Sequence, residues 1–182
     1  MGMWNSGPFD SDGGLDALGF LVDAVDPDRT IDDWTGVNPA NINQTVVLPA
    51  VRGAFISGQR SAWAEQEVYA VTGLVAAALM GASSTGHTNL SATADGNALP
   101  PWSENSCGYV NMMTFDTAVA LIPDALAAVD WLQDRKDWLG LTFVGPGVEE
   151  MENNLTPISV YLENIRLILT NPDLWEDRST AE

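Results

Sequence analysis

"VYAVTGLVAAALMGA", residues 68–82, is the longest apolar stretch of the chain, and the fold turns on the surroundings it requires. A membrane-spanning helix needs about 20 apolar residues. This run is shorter, and Glu65 and Glu67 stand just before it. It therefore predicts a helix buried within a folded domain. The preceding "GQRSAWAEQE", 58–67, offers Ser61 as an N-cap, since a serine oxygen there satisfies an N–H that the first turn leaves unpaired. The helix is expected over about 61–82. Being apolar nearly all round, it should be the central one.

Outward from it the pattern stays helical. Leu15, Leu18, Val22 and Val25 recur at the spacing of one helix face. Asp12, Asp16 and Asp23 share a neighbouring face, predicting a first helix apolar inside and acidic outside. "DPDR", 26–29, ends it, because Pro27 disfavours helical geometry at Asp26. "TIDDWTGVNPANIN", 30–43, reads as a loop with one short helical turn. A second helix is expected from Val46 to Ser57, with Pro49 in its first turn. The Ser-, Thr-, Asn-, Gly- and Pro-rich segment 83–108 reads as a long loop, of the kind that is either functional or mobile. A fourth helix is expected from Thr117 to Trp138 with Val119, Ile122, Leu126 and Val129 as its core stripe. Pro123 either kinks it or starts a new helix. "LGLTFVGPGVEE", 139–150, is a break, and Leu155, Ile158, Leu162, Ile165 and Leu169 mark the last helix. Residues 171–182 read as a polar acidic tail. The expectation is one all-α domain over residues 1–182, a bundle of five to six helices with one long loop.

Composition narrows the function classes. The 182 residues are 46% apolar, enough for a core, and carry 25 acids against 7 bases for a net charge of −18. Lys136 is the single lysine. Direct binding of nucleic acid is not expected, because phosphate affinity comes from clustered Lys and Arg. The charge is uneven: residues 1–36 are net −7, 37–103 net −1 and 104–182 net −10. A near-neutral core segment thus lies between two acidic ones. The lone Cys107 cannot form an intramolecular disulfide, which fits a reducing interior. No basic region followed by an apolar run suggests a secretory signal, so a cytoplasmic location is expected. The glycosylation patterns at Asn43, Asn89 and Asn154 are read as chance matches in that compartment.

Motifs for catalysis or metal binding are sparse. No G-x-S-x-G elbow occurs. His87 and Cys107 both border the long loop and would form a nucleophile pair only if folded together. One His and one Cys cannot fill a zinc site, and "DSDGGLD", 10–16, fails the calcium-loop spacing because Gly14 and Leu15 stand at its fifth and sixth positions. Asp10 or Asp12 as N-cap of the first helix accounts for the same residues. Gly2 and Ser6 satisfy the myristoylation pattern, but an acyl chain needs a basic patch beside it and this neighbourhood is acidic. No cofactor, metal or membrane contact is expected. Asp130, Asp134 and Asp137 stand at i, i+4 and i+7 of the fourth helix. Like charges so placed repel, and a sequence that keeps the repulsion presents either a solvated face or a face for a basic partner.

The opening residues, "MGMWNSGPFDSDGGLD", resemble the start of the bacterial domain-of-unknown-function family numbered 4259, with Gly2, Trp4, Gly7, Phe9, Asp12 and Asp16 in the matching places. Asn5, Ser11 and Gly14 depart from its usual glycine, asparagine and alanine. "AAALMGASS", "LPPW" and "DTAVALIPDAL" loosely follow the family's later order. The resemblance implies a small, mostly helical, cytoplasmic protein of a bacterium or phage, and supplies no catalytic residues. It implies an N-terminal structural motif in which Trp4 and Phe9 anchor the arm, beside Gly7, and Asp12 caps the helix after it.

Three functional readings follow. The first is a non-enzymatic protein of immunity, inhibitor or anti-defence type that binds a basic protein through Asp16, Asp23, Asp130, Asp134 and Asp137, extending to mimicry of DNA charge. The second is a small hydrolase or transferase using His87 and Cys107. The third is an acidic composition set by a saline environment. Self-association stays open in all three.

Overall fold

A computed structural model describes residues 7–9, 11–26, 42–80, 112–137 and 148–175, with 148–157 as backbone alone. The described residues form five α-helices and no strand: α1 Asp12–Val25, α2 Gln44–Gly58, α3 Ala64–Leu79, α4 Phe115–Gln133 and α5 Val148–Thr170, followed by a 3₁₀ turn at Pro172–Leu174. The all-α bundle expected from the sequence is the fold.

The decisive stretch is the central helix. Of the 16 residues of α3, 14 are buried, including every position from Val68 to Leu79. Such a helix needs neighbours on every side, and α1, α2, α4 and α5 supply them, arranged around α3 in that order. Tyr69, Leu74 and Leu79 are among the largest side chains fully enclosed, each contributing about 1.5–3 kcal/mol by burial. The helix begins later than the sequence suggests. Ser61 does not cap it: its Oγ accepts the Trp63 N–H at 2.9 Å and donates to Glu67 Oε1 at 2.6 Å, bracing the turn before the helix.

The first helix behaves as expected on its faces. Leu18, Val22 and Val25 are buried and Leu15 is half-buried at the edge of the core, while Asp12, Asp16 and Asp23 are exposed. Its cap differs from expectation. Ser11, not Asp12, is the N-cap, with Oγ accepting the Gly14 N–H at 3.0 Å. The Gly13 N–H is taken by Oε1 of Gln66, 53 residues away on α3, at 3.1 Å. Two of the four N–H groups that a helix start leaves orphaned are thus satisfied, one of them across the core.

Both internal prolines sit deeper in their helices than the sequence implies. Asn43 caps α2 by accepting the Thr45 N–H at 3.2 Å, which places Pro49 in the helix interior instead of the first turn. In α4, capped by Thr114, the helix continues through Pro123. Proline removes the bond to the carbonyl four residues back and crowds it. One residue beyond that carbonyl, Ala120 O accepts from Arg52 Nη2 of α2 at 3.4 Å, while Arg52 Nε pairs with Asp124 at 3.0 Å. The two proline-bearing helices are therefore tied together beside Pro123.

The core face of α4 is also rotated from the expected one. Ala118, Leu121, Ala125, Ala128, Val129 and Leu132 are buried, whereas Val119, Ile122 and Leu126 are half-buried at the flank. In α5 the expected Ile158, Leu162, Ile165 and Leu169 are buried, joined by Tyr161 and Ile168; the Leu155 side chain lies outside the described residues. The expected tail at 171–182 starts as structure. Asn171 caps the 3₁₀ turn, and Trp175 folds back with its indole N–H donating to Ile168 O at 2.7 Å and its ring edge-on to Phe115, centroids 6.0 Å apart.

Candidate interaction surface

The N-terminal arm is positioned by close approach. Gly7, Pro8 and Phe9 are buried, and Phe9 reaches α3 at Gly73, where only a glycine leaves room for the Pro8 ring. The buried Phe9 ring packs this short arm onto the helix, as aromatic burial near a chain terminus does. Trp4, the other implied anchor, lies outside the described residues, as do His87, Cys107 and the loop 83–108 in which they stand. Asp12 is exposed beside the cap.

The exposed side of α1 is acidic without compensation on the same helix. Asp12, Asp16 and Asp23 are exposed, and residues 12–25 include no Lys or Arg. Between Asp16 and Asp23 the ring of Phe20 stands 74% exposed, which the apolar stripe does not explain because Phe20 points away from it. Beside Phe20 a groove of about 250 Å³ opens between α1 and α2. Its lining is mostly small: Ala17 and Ala24 on α1 and Ala50, Gly53, Ala54 and Ser57 on α2, with Leu21 and, from α3, Glu67 completing it. Ile56, on the outer side of α2, is 58% exposed. Sequence reasoning missed the groove. The signal available was a large aromatic off the stripe of an otherwise regular amphipathic helix.

The second acidic group is arranged differently from expectation. The helix α4 ends at Gln133, so Asp134 is its C-cap and Asp137 lies beyond it; the three aspartates do not share one continuous helical face. Asp130 is paired with Arg166 of α5. Arg135 turns inward along its own chain, its guanidinium 4.4 Å over the Trp131 ring and its Nη1 donating to Trp131 O. Asp134 is exposed at the C-cap of α4, where the partial negative charge of the helix terminus makes a carboxylate unfavourable, and Asp137 is exposed in the helical turn that follows at 136–137. Asp16 and Asp23 are on α1, separated from this group by α2 in the ring of helices. The structure therefore presents two acidic surfaces instead of one.

Among the described residues, no group of three His, Cys, Asp or Glu is placed to hold a metal ion. No described helix is long and apolar enough to cross a membrane. Comparison of the chain with protein-family models, with curated proteins and with solved structures finds no significant match.

Proposed function

We propose that this chain is a non-enzymatic acidic protein that binds a basic protein partner, in the manner of immunity proteins, inhibitors or anti-defence proteins, with mimicry of DNA charge as the limiting case. The observation that carries the reading is the pairing of a −18 net charge with exposed carboxylates kept where they cost stability. Asp16 and Asp23 stand on a helix without a base, and Asp134 at a helix end that disfavours anions, with Asp137 exposed just beyond it. Complementary charge steers association and selects partners more than it adds affinity.

Membership of the 4259 family, resting on Gly2, Trp4, Gly7, Phe9, Asp12 and Asp16, belongs to the same proposal, as do a cytoplasmic location and a bacterial or phage source. The test is affinity capture of the tagged chain at low salt, followed by identification of what is retained. The reading expects a basic, nucleic-acid-handling protein that is released as salt rises. Retention of only neutral or acidic proteins, unaffected by salt, contradicts it.

A further inference from the structure

The α1–α2 groove combines three features that the bundle itself does not use. Small residues on both walls leave space open: a Cβ on Gly53 would meet nothing within 4 Å. A large aromatic, Phe20, stands at the lip instead of filling that space, and Ile56 stands exposed on the outer side of α2. The rim is of one sign. Asp16 and Asp23 lie four residues before and three after Phe20, hence on its side of the helix, and Glu67 of α3 is part of the lining. Arg52, the base within α2, is turned to α4 and held by Asp124 and Ala120 O; Arg60 stands in the turn beyond α2.

The charge decides between occupants. Two copies of the chain meeting through this face would bring like-charged rims together, a repulsion that a symmetric contact cannot avoid. A segment with an apolar side chain between lysines or arginines meets both the groove and its rim. Docking an amphipathic helix into a groove is an established mode of recognition, and aromatic residues dominate the energetics of such contacts.

We infer that the groove between α1 and α2 is the docking site for a basic amphipathic segment of a partner protein, an apolar side chain entering beside Phe20 and flanking cations meeting Asp16, Asp23 and Glu67. This rests on the basic-partner reading and adds the place and the form of the contact.

The test uses the full chain, isotope-labelled, titrated with a helical peptide of about 14 residues built from Leu and Lys, long enough to span about four turns. Two companion peptides replace Leu by Ser or Lys by Glu. The Leu/Lys peptide should perturb the amides of Phe20, Gly53 and Ala54, and bind more tightly than either companion. Phe20→Ser and Gly53→Leu, which fills the groove, should each weaken it about tenfold. Both changes are made in open space, and circular dichroism with an unchanged helix signal verifies the fold. Equal binding by the Ser/Lys peptide overturns the groove while leaving the basic-partner reading intact. Equal binding by the Leu/Glu peptide overturns the basic rim contact and counts against that reading too. Absence of binding, or a dimer that dissociates in Phe20→Ser, overturns the inference.

Discussion

The ring of Pro8 occupies the space into which a side chain at residue 73 would project: a Cβ on Gly73 would lie 2.6 Å from Pro8 Cβ and 2.7 Å from its Cγ. The N-terminal arm is thereby keyed to the middle of the most buried helix. Neither atom belongs to a flexible side-chain end, so the clash cannot be relieved without moving the arm.

Gly73→Ala is expected to destabilise the protein by about 1–3 kcal/mol, the usual cost of overpacking a core, despite the better helix propensity of alanine. Gly53→Ala, the same change at a helical site with open space around it, should instead stabilise by about 0.5–1 kcal/mol. Urea unfolding of the two variants checks the contrast. Equal effects of one sign would show that the arm does not seat at Gly73.

Gln66 is 1% exposed, with Oε1 on the Gly13 N–H and, among the described residues, no partner for Nε2. Gln66→Met keeps the volume and strands that N–H at the start of α1. The expected cost is about 1–3 kcal/mol, accompanied by faster amide exchange at Gly13. Unchanged exchange there would remove Gln66 from the cap.

Trp175 closes the far end of the bundle. Ile168 O is among the last four carbonyls of α5, which have no partner within the helix, and the indole N–H supplies one. Trp175→Phe keeps an aromatic ring and loses the bond, with an expected loss of about 0.5–1.5 kcal/mol. Trp175→Ala also removes the edge-on contact with Phe115 and should cost more. Thermal denaturation of both variants distinguishes them. A chain ending at Thr170 that is as stable as the full chain would contradict a structural role for this turn.

Screening among exposed carboxylates is short-ranged, about 8 Å at 0.15 M salt. If the acidity serves a partner, stability against urea should rise modestly with added salt and level off below about 0.5 M. A gain that continues into molar salt would point to an environmental origin of the charge.

The elements legible in the sequence were those whose pattern is carried by large apolar residues. The run 68–82 identified the central helix because it is long and carries no charged side chain, and Leu18, Val22 and Val25 identified the buried face of α1. In α4 the large side chains Val119, Ile122 and Leu126 mark the flank of the buried face, because the residues at its centre are mostly alanines. Ala118, Ala125 and Ala128 form the seam, since a short side chain allows close approach of helices. The α1 cap was misassigned because three aspartates outnumber one serine, and the Gln66 contact depends on a pairing across 53 residues that no local pattern encodes. The Trp175 turn did have a local signature: Asn171 followed by Pro172 is a cap with a first-position proline. Asp16 and Asp23 were legible as exposed acids, but the groove beside them was not, because it arises from small residues on two separate helices.

The most direct test of the account is the dissociation constant of the captured partner, measured over a salt series for the natural chain and for the combined Asp16→Asn, Asp23→Asn, Asp134→Asn and Asp137→Asn variant. The account predicts that affinity falls steeply with salt for the natural chain, and that the variant binds at least about tenfold more weakly at low salt with a shallower salt dependence. Identical constants for the two proteins across the series would contradict it.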